Sequence, residues 1–134
     1  MSITLSTRLA TRFENAVACT REALTQQGFG VLTEIDVKAT LKAKLGVDLE
    51  NYLILGACNP ALAYRAIGVD RQIGVLLPCN VSVRADPGDP GTVIVEAMDP
   101  GILVKVTGDP ALTAIADEVT ERLAAAIASL TGRG

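Results

Sequence analysis

The most reactive side chains of this 134-residue chain are three thiols, Cys19, Cys58 and Cys79. Two of them stand in related surroundings, Gly56-Ala57-Cys58-Asn59-Pro60 and Pro78-Cys79-Asn80. Asn-Pro is a helix start, with Asn as the cap and Pro at the first helical position. Cys58 therefore lies where unpaired backbone N–H groups and the helix dipole stabilise anions, thiolates included. A thiolate there would serve as nucleophile, redox centre or ligand to a soft metal, with Cys79 as a resolving thiol. The competing reading is packing, because free cysteine is among the most buried residue types and commonly only fills space. Cys19, inside a helix and one position off its apolar stripe, receives no role.

The chain has no histidine, which removes Ser-His-Asp and Cys-His catalysis, imidazole acid–base work and His-based metal sites together. It has no CxxC spacing either, so no metal site is predicted and no cofactor is identified. Glu34 and Asp36 flank Ile35, and in an extended strand their carboxylates share one side, as a paired acid–base or hard-cation site requires. Capping of the following helix by Asp36, and solvation of Glu34 or its pairing with Lys38, explain the same residues. Asn59 and Asn80 each follow a cysteine and are suited to hold a loop by side-chain bonds to the backbone. The candidate site is thus Cys58 as a catalytic thiol, with Glu34, Asp36, Asn59, Cys79 and Asn80 as groups that bind a small molecule.

The elements that would position these groups alternate along the chain. Ile3 to Arg8, Gly30 to Ile35 and Tyr52 to Ala57 read as strands, the third apolar enough to be buried on both faces. Gln72 to Leu77 reads as a fourth, broken at Pro78 and resumed over Val81 to Arg84. Thr92 to Met98 pairs with it across the turn residues Asp86 to Gly91. Helices follow the first three strands. A Thr11/Glu14 capping box opens one that stops at Gly28, Asp36 caps one that ends at Gly46, and Asn59-Pro60 opens one that ends at Gly68. Asp109-Pro110 starts the last, whose apolar face is Leu112, Ile115, Ala116, Val119, Leu123 and Ile127, with Gly132 near its end. Ile102 to Val106 fits a strand or a packed irregular segment equally.

The expected fold is an α/β (α+β) two-layer sandwich, one domain over residues 1–134. It has a mixed sheet of about five strands and about four helices in the order β-α-β-α-β-α-β-β-α. Parallel crossovers would bring the carboxyl ends of the strands together and line a common cleft with the candidate residues.

Composition narrows the partners. A net charge of −3, two Tyr, two Phe and no Trp offer neither a basic field nor a stacking surface for nucleic acid. No apolar run approaches the length of a membrane span, and the first residues do not read as a leader, so the protein is placed in the cytoplasm. Gly28-Phe29-Gly30 ends a helix and opens a strand, the reverse of a dinucleotide fingerprint.

Three ordered segments, Gly28 to Lys38, Leu55 to Pro60 and Leu76 to Val81, resemble the domain-of-unknown-function 302 family over most of the chain. The resemblance rests on Glu34, Asp36, Lys38, Cys58, Asn59, Pro60, Pro78, Cys79 and Asn80. It implies an α/β sandwich and a homodimer, and it supplies no activity. The chain departs from the family pattern in its short Pro/Gly-rich hairpin and in Ile102 to Val106. Three functions follow in order: a small-molecule or cofactor-binding module, a thiol-dependent redox protein or enzyme centred on Cys58, and a non-catalytic dimeric interaction protein.

Overall fold

The computed structural model describes residues 4–131; Ile3 and Gly132, assigned above to the first strand and the last helix end, lie outside them. Five strands form one sheet: β1 (Thr4–Leu9), β2 (Gly30–Asp36), β3 (Tyr52–Cys58), β4 (Cys79–Asp86) and β5 (Asp89–Met98). Their spatial order is β1-β5-β4-β3-β2, and every neighbouring pair is antiparallel. The helices are α1 (Phe13–Gln26), α2 (Val37–Leu45), α3 (Pro60–Val69), α4 (Gly101–Thr107) and α5 (Thr113–Leu130), with 3₁₀ turns over Arg71–Leu76 and Pro110–Leu112. The five strands and the two-layer α/β architecture match the expectation.

Period-two alternation builds the layers. Leu53, Leu55 and Ala57 of β3, Val81 and Val83 of β4, and Val93, Val95 and Ala97 of β5 are buried on the face that meets the helices. The apolar stripe Leu112, Ile115, Ala116, Val119, Leu123 and Ile127 is buried throughout, but Asp109-Pro110 opens the 3₁₀ turn that holds Leu112, and α5 itself starts at Thr113. α5 packs on α1, α3, α4 and β1. On the opposite face a shallow hollow of about 260 Å³ is lined by strand residues alone, Thr4, Tyr52, Ile54, Asn80, Ser82, Glu96 and Met98. There Arg84 Nε donates to Glu96 Oε1 at 2.7 Å across the β4–β5 pair.

The sheet is not mixed, and no parallel crossover joins neighbouring strands; β1 and β2 run the same way but stand at opposite edges, linked across the sheet by α1. Asp36, which ends β2, lies opposite Leu53, near the start of β3, so α2 leaves and re-enters the sheet at the same end. A crossover helix must bury a face while running back along the sheet, and α2 has no buried residue. α3 and the 3₁₀ turn make the equivalent excursion at the other end, because Ala57 lies opposite Cys79.

Three local readings also change. Gln72 to Leu76 lie within a 3₁₀ helix and Leu77 follows it in extended conformation: Asp70 Oδ1 accepts from Gln72 N at 2.9 Å, and buried Ile73 and partly buried Leu76 stand three apart, the 3₁₀ repeat. Ile102 to Val106 lies within α4, closed by Gly108 at φ +67°. Thr11 and Glu14 form no capping box. α1 starts at Phe13 after Arg12, which makes no side-chain cap bond, so the pair sits one residue out of register; Thr11 Oγ1 instead accepts from Asn15 Nδ2 at 2.8 Å. Gly68 does not end α3, which runs on to Val69. None of the described helices is long and apolar enough to cross a membrane.

Candidate functional site

Antiparallel pairing decides which groups meet. β3 is flanked by β2, with Gly30 opposite Cys58, and by β4, with Ala57 opposite Cys79. The carboxyl end of β3, the amino ends of β2 and β4, and the start of α3 therefore converge. Asn59 caps α3 as its sequence suggests: its Oδ1 accepts from Leu62 N at 3.2 Å, and Pro60 follows at the first turn.

Cys58, Asn59 and Cys79 border one apolar cavity of about 30 Å³, with Phe29, Leu77 and Pro78 among its other walls. That volume suits a water-sized group, whereas pockets for whole small molecules span ~300–1,000 Å³. Cys58 is half-buried and Cys79 buried. Burial pushes the Cys79 thiol up to about 11, and the neighbouring Cys58 adds to the shift, since a second negative charge so close in dry surroundings is unfavourable.

Gly56 and Gly28 let these segments approach. A Cβ on Gly56 would overlap the Thr33 hydroxyl and fall 2.9 Å from Pro78 Cγ. Gly28 has φ +84° after α1, and a Cβ there would lie 3.1 Å from Asn59 Nδ2 and 3.7 Å from Arg122 Nη1. Arg122, on α5, donates through Nη1 to the Gln27 carbonyl at 3.4 Å. Its buried Nε makes no hydrogen bond and stands 3.7 Å from Glu118 Oε2. Glu118 also pairs with Arg65 of α3 at 3.1 Å. Gln27, Glu118, Glu121, Arg122 and Ala125 line a polar hollow of about 230 Å³.

Three of the six candidate residues are brought together, Cys58, Asn59 and Cys79. Glu34 is exposed and forms an ion pair with Arg21 of α1, not with Lys38. Asp36 Oδ1 accepts from Ala39 N at 2.9 Å and caps α2. Asp36 lies opposite Leu53, five residues back along β3 from Cys58, or about 17 Å at the strand rise, so the carboxylates do not share the thiol cavity. Asn80, next to Cys79 on β4, points to the other face of the sheet and lines the strand hollow there. Cys19 Sγ lies 3.9 Å from Asn15 Oδ1 on α1, away from the cavity. Arg122 escaped the sequence reading. It belongs to no motif and reaches Gln27 only through the packing of α5 against α1.

The family model described as domain of unknown function DUF302 matches residues 5–130. Among solved structures, the chain is similar to the crystal structure of an uncharacterized conserved protein DUF302 from Bacillus stearothermophilus. The two are 32% identical, with a TM-score of 0.86, and the match covers 96% of this chain and 98% of that one. No curated protein matches the chain.

Proposed function

Because the chain belongs to the DUF302 family, a domain of unknown function, its chemistry has to be read from its own residues, and we propose a thiol-dependent redox protein in which Cys58 attacks and Cys79 resolves. The observation that carries this reading is the shared cavity, bordered by a half-buried Cys58 and a buried Cys79. Accessible attacker and protected partner is the division of labour that thiol–disulfide exchange uses.

The Cys58 thiolate attacks one sulfur of a low-molecular-mass disulfide, forming a mixed disulfide and releasing one thiolate. Cys79 then gives its proton to solvent and attacks the Cys58 sulfur. The protein disulfide forms, the second small thiolate leaves, and water protonates both products. Two protein thiols are oxidised and one disulfide is reduced. Burial, with the neighbouring Cys58 second, holds Cys79 protonated, which leaves the first attack to Cys58. A small-molecule binding module survives within this reading, since the ligand is then a reactant that touches Cys58 rather than one enclosed by six residues.

Treating the reduced protein with 2-hydroxyethyl disulfide and mapping the peptides tests the assignment. The wild type is expected to accumulate a Cys58–Cys79 disulfide, Cys79→Ala to stop at a mixed disulfide on Cys58, and Cys58→Ala to leave Cys79 reduced. A wild type that stops at the mixed disulfide, or one modified at Cys19 instead, contradicts it.

A further inference from the structure

We infer that the oxidant of the thiol pair is a sulfane-sulfur compound, a persulfide or polysulfide, and that the bare sulfur it hands to Cys58 sits in the cavity that Cys58 and Cys79 border; this rests on the thiol reading above and names its reactant. Size is the first argument. A space of about 30 Å³, where roughly 10–15 Å³ holds a water, has room for a small terminal group and none for the organic half of a disulfide. The walls are the second. Phe29, Leu62, Ala66, Leu103 and Val119 line the cavity and are all buried. Among the described residues, its polar side chains are the two thiols and Asn59, whose Oδ1 already accepts from Leu62 N. A buried water, or a peroxide oxygen in its place, needs two to four polar partners, and thiols are weak donors and acceptors. Sulfur is polarizable and packs among apolar groups, so the same small space that suits an oxygen by size suits a sulfur by chemistry.

The reaction balances without a further reagent. The Cys58 thiolate attacks the outer sulfur of a persulfide R–S–SH, the donor S–S bond breaks, RS⁻ leaves to be protonated by water, and Cys58 carries an S–SH group. Cys79 then attacks the Cys58 sulfur. The Cys58–Cys79 bond forms as the bond to the outer sulfur breaks, and that sulfur leaves with the Cys79 proton as hydrogen sulfide. Two protein thiols are oxidised and one sulfane sulfur is reduced by two electrons. Handing the proton to the leaving sulfur puts no free charge into apolar surroundings, where burial already keeps Cys79 protonated.

The test uses a matched pair of reagents, 2-hydroxyethyl persulfide and 2-hydroxyethyl disulfide. Both release the same thiolate, but the first leaves a bare sulfur on the cysteine and the second a hydroxyethylthio tail. Cys79→Ser, which keeps a small side chain at that wall and cannot resolve, is exposed to both together, alkylated and mapped by mass spectrometry. The ratio of bare sulfur to tail is expected to be higher at Cys58 than at Cys19 by about tenfold or more, the discrimination a small apolar pocket makes against an extra methylene-sized group. Ala63→Leu, which adds bulk to a half-buried position of the cavity lining, should bring the Cys58 ratio down to that of Cys19. In the wild type the persulfide should yield one hydrogen sulfide for each Cys58–Cys79 disulfide. Equal ratios at Cys58 and Cys19, or a Cys58 ratio that Ala63→Leu leaves high, overturn the inference, while a wild-type disulfide formed from 2-hydroxyethyl disulfide keeps the thiol reading intact. A wild type that forms no Cys58–Cys79 disulfide with either reagent overturns the thiol reading itself.

Discussion

Gly56→Ala is expected to destabilise the protein by about 3 kcal/mol, the upper end of the usual cost of overpacking a well-filled site. The added Cβ would meet Thr33 and Pro78 at once. Thr33 can turn its hydroxyl away at the cost of a stiff, β-branched rotamer, but the Pro78 ring has nowhere comparable to go. Relief requires β3 to move away from β2 or from the β4 entry, the pairings that hold Cys58 beside Gly30 and near Cys79. Urea unfolding should show a lower midpoint with an unchanged slope. Gly68→Ala is the matched control. No atom lies within 4 Å of the Cβ it adds, and α3 continues past it, so it should stabilise by about 0.5–1 kcal/mol. Equal effects at the two glycines would contradict the packing described at the site.

Stability is also expected to fall as the pH rises from about 9 to about 11, the span between the ordinary thiol value of 9.0 and the value that burial gives Cys79. In that window the unfolded chain releases the Cys79 proton and the native state keeps it. The unfolded state thus binds fewer protons, and stability declines with pH. The contribution is fully present below about pH 9 and lost by about pH 11, amounting to roughly 2–3 kcal/mol. Lysine and tyrosine titrate in the same range, so the measurement is the difference between wild type and Cys79→Ala. The variant should be less stable at neutral pH, with a gap that narrows on the alkaline side. Parallel curves would mean that Cys79 ionises as freely in the native state as in the unfolded chain.

Local chemistry was legible in the sequence, and direction was not. Asp36, Asn59 and Asp109 cap, and Gly28 and Gly46 stop helices, because each act depends on one side chain or one backbone angle. Alternation likewise marked Val81 to Arg84 and Thr92 to Met98 as strands, which lie within β4 and β5. Strand direction depends on how far a helix travels before the chain returns, and the residues of α2 do not encode that. Parallel strands would have gathered Glu34 and Asp36 with Cys58, whereas antiparallel pairing puts the end of β2 at the start of β3. The pleat accounts for Asn80: Cys79 and Asn80 are adjacent, so one faces the helices and the other the opposite side. Gln72 to Leu77 fits periods of two and three equally, and the Asp70 cap decides between them. Arg122 joins the site from 63 positions beyond Asn59, a separation that no local pattern bridges.

The central claim, that Cys58 is the reactive thiol and Cys79 its protected partner, is tested most directly by the alkylation rate of each cysteine in the native protein. With iodoacetamide at neutral pH and peptide mapping by mass spectrometry, Cys58 is expected to be modified first, ahead of Cys19, with Cys79 untouched until the protein unfolds. Modification of Cys58 no faster than a free thiol, or of Cys79 alongside it, would contradict the account.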